Sequence, residues 1–146
     1  MSNITEEEVV ELERLLRHIS GIIKRKGREI LNDFPITPPQ FIALQWLDEL
    51  GDTTIGDLSN KMYLAFSTTT DLIDRMEKNE LVQRIRDEKD RRVVRIHLLP
   101  KGNEIIHQVL QARQAYLKGI LQHFDRSEVD RLQVTLTQLY EEMSRE

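Results

Sequence analysis

A single β-hairpin set inside an otherwise helical chain limits what this sequence can fold into. Residues 81 to 98 read as a strand (Leu81 to Arg86), a charged tip (Asp87 to Arg92) and a returning strand (Val93 to Leu98). Alternation of apolar Val82 and Ile85 with Arg84 and Arg86, then of Val94 and Ile96 with Arg95 and His97, predicts for each strand one buried face and one rich in cations. Such a ribbon suits phosphates or a DNA groove; the plainer alternative is a solvated hairpin of mixed charge.

Charge placement bears on that choice. The net charge of −4 speaks against a nucleic-acid partner, but it is unevenly spread. From Arg75 to Lys101 there are nine basic and five acidic residues, a local +4 that leaves −8 for the rest of the chain. A focused positive patch on an acidic body can still steer toward DNA, because salt limits the reach of distant charges to ~8 Å.

Helix starts are written as capping signatures, in which an oxygen side chain accepts from a first-turn amide and a residue three positions on reaches back. They fall at Thr5/Glu8, Thr37/Gln40, Thr54/Asp57 and Asp125/Glu128. Pro38 and Pro39 fit a first turn, and Gly51 fits a helix end. The predicted helices span 5 to 33, 38 to 50, 54 to 62, 67 to 79, 101 to 123 and 126 to 144. Two short helices joined by Tyr63-Leu64-Ala65-Phe66 and followed by the hairpin make the layout of a winged helix-turn-helix. The expected class is mainly α with a small β-hairpin wing, flanked by long N- and C-terminal dimerisation helices.

Those outer helices carry apolar seams. Val9, Leu12, Leu16, Ile19 and Ile23 repeat at spacings of three and four, as do Val129, Leu132, Leu136, Leu139 and Met143. An intramolecular bundle would use them; a homodimer is preferred, because the compact unit between them offers too little surface to cover both. At 146 residues the chain is expected to form one domain over 1–146, with 36–100 as the DNA-binding region and 5–33 and 101–144 as dimerisation helices.

Asp90, Arg92, Leu98, Leu99 and Gly102 stand in the spacing of the wing pattern D-x-R-x-x-x-x-x-L-T-x-x-G, preceded by Arg75-Met76-Glu77-Lys78-Asn79-Glu80-Leu81-Val82. On that wing pattern, its most specific piece, and on the run before it, where R-L-E-x-x-G-L-V is usual, the chain resembles the MarR (multiple antibiotic resistance regulator) family of winged helix-turn-helix transcriptional regulators over nearly its whole length. Three residues depart. Leu99 replaces a capping threonine, partly offset by Pro100 at the first helical position. Glu80 replaces a turn glycine, so Asn79 is expected to take any left-handed turn. Asp71 stands where a threonine-arginine pair is common, which puts the usual DNA contact there in question.

The resemblance implies a homodimer on double-stranded DNA, with a recognition helix in the major groove and Arg92 as a wing-tip cation oriented by Asp90 for the minor groove. An Asp90–Arg92 salt bridge that only closes the turn is the alternative. On the recognition helix, Thr69, Leu72, Ile73 and Met76 share one face and should enter the core, leaving Ser67, Thr68, Thr70, Asp71, Asp74, Arg75 and Lys78 opposite. Hydroxyls near the helix start suit phosphate or base edges; Arg75 and Lys78 suit phosphate or guanine. Asp71 and Asp74 would repel the backbone unless one accepts from a cytosine amino group or holds Arg75 or Lys78. The candidate DNA-binding set is Ser67, Thr68, Thr70, Asp71, Arg75, Lys78, Arg84, Arg86, Asp90, Arg91 and Arg92.

Family members commonly bind small aromatic effectors between the dimerisation helices and the DNA-binding unit. His18, Ile22, Phe41, Trp46 and Tyr116 are the residues that would line such a space here, although aromatics at helical spacing more often form core. The cluster Lys24-Arg25-Lys26-Arg28 would attract an anionic effector or form a solvated face. With no cysteine, thiol redox sensing and cysteine zinc sites are excluded. His18, His97, His107 and His123 lack metal-ligand spacing, and no phosphate-binding glycine loop or nucleophile elbow is present, so neither a cofactor, a metal nor catalysis is expected. No apolar run approaches the ~18 residues of a membrane span and the N-terminus is acidic, which leads us to expect a cytoplasmic protein with no membrane partner. The competing reading is a helical protein-interaction adaptor that keeps the winged shape without using it on DNA.

Overall fold

The computed structural model describes residues 3 to 145. Its elements are α1 (Glu6–Leu31), α2 (Pro38–Leu50), β1 (Thr53–Thr54), α3 (Ile55–Met62), α4 (Phe66–Lys78), β2 (Val82–Arg86), β3 (Val94–Leu98), α5 (Pro100–Leu121) and α6 (Arg126–Ser144). The chain is thus mainly helical with a small antiparallel wing, as expected. Each expected helix is present, its ends within two residues of the expected ones.

The cap chemistry accounts for that agreement. Thr5 and Thr54 each accept from the amide three residues on, at 3.1 Å. At Thr37 and Asp125 the reciprocal bond from Gln40 or Glu128 is also formed. Helices α4 and α5 start differently: Ala65 supplies α4 with no side-chain cap, and α5 opens at Pro100 after Leu99, which has no capping oxygen.

Residues up to Leu110 form one compact unit and those from Gln111 on form another, α5 being shared between them. In the first unit the core is built from Leu44 and Leu47 of α2, Leu58 of α3, Ile73 and Met76 of α4, Leu81, Val82 and Ile96 of the wing, and Ile106 and Val109 of α5. Gly102 lies where α5 crosses the wing base. A Cβ there would collide with the Leu81 carbonyl oxygen and press on Leu98 and Leu44. The glycine of the wing pattern is therefore a close-packing requirement. In the second unit, the end of α5 and α6 leave Leu117, Ile120, Phe124, Leu132, Leu136 and Leu139 exposed. No helix among the described residues is long and apolar enough to cross a membrane.

The structure corrects three details. First, the hairpin gains a third strand: β1 pairs antiparallel with β3, giving the order β1-β3-β2. Thr53-Thr54 is too short to show an alternation, and its second residue doubles as the cap of α3. Second, the faces differ from the expected pattern. The register Val82↔Leu98, Arg84↔Ile96 and Arg86↔Val94 puts these six residues on one face, with Gln83, Ile85, Arg95 and His97 on the other. Val82 and Ile85 are three apart and so cannot share a face of period two. Arg84 consequently lies on the core side.

Third, Glu80 itself takes the left-handed conformation (φ 63°), while Asn79 stays at φ −87°. The Leu81 amide donates to the Met76 carbonyl at 3.0 Å, a six-to-one closure that fixes the left-handed position at residue 80 whatever its side chain.

Candidate nucleic-acid interface

Helix α4 divides as its spacing predicts. Thr69, Ile73 and Met76 are fully buried and Leu72 half-buried, while Ser67, Thr68, Asp71, Asp74, Arg75 and Lys78 are exposed. The Thr69 hydroxyl is satisfied by donating to the Ala65 carbonyl at 3.1 Å. Thr70 donates likewise to Phe66 at 3.0 Å, so toward a ligand its oxygen can only accept. The first turn holds no acid and no capping side chain, which leaves its amides pointing outward for an anion.

The wing base is tied to this helix through Arg84. Its Nη2 meets Asp74 Oδ1 at 2.6 Å, its Nη1 meets Glu77 Oε1 at 2.7 Å, and its amide donates to Glu77 Oε2 at 3.0 Å. Partial burial disfavours the guanidinium charge, but the bonds to Asp74 and Glu77 outweigh that and hold its pKa above the ordinary value. Arg84 is thus a strut between wing and helix, with its charge already matched. Asp74 holds Arg84 rather than Arg75 or Lys78. Lys101 adds a second tie, donating from Nζ to the Asn79 carbonyl at 3.0 Å.

The wing tip organises itself around two aspartates. Asp87 Oδ1 accepts from the amides of Lys89 (2.8 Å) and Asp90 (3.4 Å), while its Oδ2 accepts from Arg95 Nε at 3.0 Å. Asp90 accepts from the Arg92 amide, Nε and Nη2, each at 3.1 Å. The Lys89 amide, then Arg95, pull the Asp87 carboxyl below the usual range; the Arg92 side chain, then its amide, do so for Asp90. Arg92 is nevertheless 91% exposed. Arg86 donates to the Arg91 carbonyl at 2.8 Å and remains exposed, as does Arg91.

Sequence reasoning did not single out Asp87 or Glu77, nor the actual partner of Asp74, which it paired with Arg75 or Lys78. Asp87 carried a readable signal, an aspartate two residues before the amide it binds, as in an Asx-turn. The roles of Glu77 and Asp74 could be found only through Arg84.

The five expected effector residues are not gathered by the first unit. Phe41 is core, and Trp46 packs against it with Lys61 Nζ 5.3 Å from the ring centroid. His18 and Ile22 are exposed on α1, and Tyr116 belongs to the second unit. His97 Nδ1 lies 2.8 Å from Asp52, and His107 Nε2 lies 3.4 Å from Asp48.

Helices α2, α3 and α4, the last without a side-chain cap, followed by a strutted wing with an arginine at its tip, define a winged helix-turn-helix protein. Residues 36–94 match the sequence model of the MarR family. The chain is 60% identical over 139 residues to the uncharacterized HTH-type transcriptional regulator YsmB of Bacillus subtilis, covering 95% of each. A solved MarR family protein from Bacillus stearothermophilus superposes with a TM-score of 0.92 at 55% identity, covering 97% of this chain and 99% of that one. The fold is also that of Streptococcus pneumoniae FabT, solved in complex with DNA (TM-score 0.74, 21% identity, 91% and 94% covered). The chain belongs to the MarR family of DNA-binding transcriptional regulators, which are not enzymes.

Proposed function

We propose that this regulator is a homodimeric, ligand-responsive repressor that binds a pseudo-palindromic operator with half-sites about one helical turn (~34 Å) apart. Within the cytoplasm it would bind double-stranded DNA through α4 (Ser67, Thr68, Thr70, Arg75, Lys78) and the wing tip (Arg86, Arg91, Arg92). The observation that carries the reading is Arg92, 91% exposed and held by Asp90 at the end of a wing strutted to α4. Its Nε and Nη2 are occupied by Asp90, and the remaining guanidinium donors stay available to acceptors in a narrow minor groove.

Dimerisation draws support from the seam of α1, where Val9, Leu12, Leu16, Ile19 and Ile23 are 46–58% exposed. Leu132, Leu136, Leu139 and Met143 repeat the situation on α6. An isolated chain would leave a larger apolar surface in water than a monomer ordinarily tolerates. A small aromatic or anionic effector would act by favouring a dimer whose α4 helices have the wrong separation, which requires different affinity for the two states.

The adaptor reading loses part of its support. Of the two acids on the recognition face, Asp74 is paired with Arg84, a partner it shares with Glu77, so its repulsion of phosphate is reduced rather than removed. The test is fluorescence anisotropy on DNA from upstream of the protein's own gene across a salt series, with wild type and Arg92→Ala. Each phosphate contact contributes ~0.9 to the log-log slope, and specific binding should exceed that to scrambled DNA by ~1000-fold or more. Indifference of every genomic fragment, or of binding to Arg92→Ala, overturns the reading. A mass measurement showing a stable monomer at micromolar concentration overturns the dimer.

A further inference from the structure

Two aromatic side chains at the start of the recognition helix have no role in the core. Tyr63 is 94% exposed and Phe66 62% exposed. Both belong to the connection between α3 and α4, and neither is accounted for by the cationic contacts assigned to α4 and the wing. From this pair we infer that the protein reads thymine in its operator: Phe66 packs on a thymine 5-methyl group in the major groove, and the Tyr63 hydroxyl donates to a neighbouring phosphate. The inference rests on the DNA-binding reading above and adds to it the base that α4 recognises.

The backbone gives the first reason. Tyr63 closes α3 in the left-handed conformation (φ 56°), with the Leu64 amide donating to the Ser59 carbonyl at 3.0 Å. Glycine or asparagine ordinarily fills that position, because a Cβ is strained there. A tyrosine that accepts the strain and then leaves its ring in water gains nothing from the fold itself.

The second reason is position. Phe66 lies three residues before Thr69 and seven before Ile73, on the stripe that enters the core, but the core ends before reaching it. Helical side chains lean toward the N-terminus, so its ring projects past the start of α4. In helix-turn-helix proteins that end of the helix meets base edges.

Chemistry supplies the third. The residues of this end, Phe66, Ser67, Thr68 and Thr70, are uncharged, and no acid lies in the first turn. Guanine is read by arginine or lysine, whose nearest examples on α4 are Arg75 and Lys78, two to three turns further on. An apolar ring beside hydroxyls fits the methyl and carbonyl edge of thymine instead.

The experiment replaces thymine by deoxyuridine, one symmetric pair of positions at a time, in an operator selected from random DNA by the wild-type protein. The change removes the 5-methyl group alone. One pair should weaken wild-type binding about fifteen-fold, from about four-fold for one buried methyl at each half-site. The same replacement should leave Phe66→Ala unaffected, and Phe66→Leu should keep part of the sensitivity. Tyr63→Gly should raise the melting temperature by roughly 3 °C through relief of strain while weakening DNA binding, and Tyr63→Phe should lose affinity without the gain. Glu80→Gly, which relieves the other left-handed non-glycine residue, should gain stability and keep its affinity. Failure of wild type to select any DNA overturns this inference together with the regulator reading. Steep, specific binding with no methyl sensitivity, or with a sensitivity that survives Phe66→Ala, overturns this inference alone and assigns the aromatic pair to a protein partner.

Discussion

The base and the tip of the wing hold an arginine each, by similar bonds and for different ends. At the base, Arg84 meets carboxylates from another element, Asp74 and Glu77 of α4, and its side chain is only 27% exposed. At the tip, Arg92 meets Asp90, two residues away in the same loop, and stays 91% exposed. The base therefore joins two parts of the fold, whereas the tip joins only its own residues. A cation whose donors are consumed within the fold positions other groups; one held by a single local acid is oriented yet still available.

Disturbing the base should cost the most. Gly102→Ala drives a Cβ against the Leu81 carbonyl where α5 crosses the wing, and neither backbone segment can yield cheaply. A loss of about 3 kcal/mol is expected from such overpacking, read as a lowered urea midpoint at unchanged slope. Arg84→Met should follow. It strips two carboxylates of their partner in a half-exposed setting, and solvent screening limits the expected loss to about 1 kcal/mol. DNA affinity should fall with it, because Asp74 then faces phosphate uncompensated. If Arg84→Met lowers neither stability nor affinity, the strut is idle.

How much of this could be read from the chain depends on whether the determining contact is local. Four of the six helices, α1, α2, α3 and α6, were legible because Thr5, Thr37, Thr54 and Asp125 state their own starts within four residues. The tip was legible for the same reason, since Asp90 and Arg92 are neighbours. Arg84 was not: its partners lie seven and ten residues back, and an approximate alternation with Ile85 suggested the wrong face. Strand β1 escaped because two residues carry no period, and its partner strand lies some forty residues on. The left-handed turn at Glu80 escaped because backbone closure, not side-chain preference, selects the residue.

At the tip the expected changes in stability are smaller. Arg92→Ala should leave the urea midpoint and slope nearly unchanged, as for an exposed side chain away from the core. Its effect should fall on DNA instead, as a loss of affinity for the operator together with a shallower salt dependence. An Arg92→Ala protein that unfolds early would mean the tip braces the fold after all, and the contrast with Arg84 would fail.

The mildest perturbation is acid. Asp87 and Asp90 both have carboxyl pKa values lowered in the folded protein, by amides and guanidinium groups of the loop itself. A lowered folded value means that the ionised form is the one bonded, so the ordering it gives is complete above the unfolded value of ~3.9 and is lost as pH falls through the lower folded values. Between pH 5 and 8 the amide resonances of Lys89, Asp90 and Arg92 should therefore stay fixed, and they should move together only below about pH 4. Asp87→Asn should reproduce part of the acid state at neutral pH, since an amide oxygen can still accept from Lys89 and Asp90 but no longer offers Arg95 a charge. Movement of the tip resonances well above pH 5 would instead mean that these two carboxylates do not order the tip.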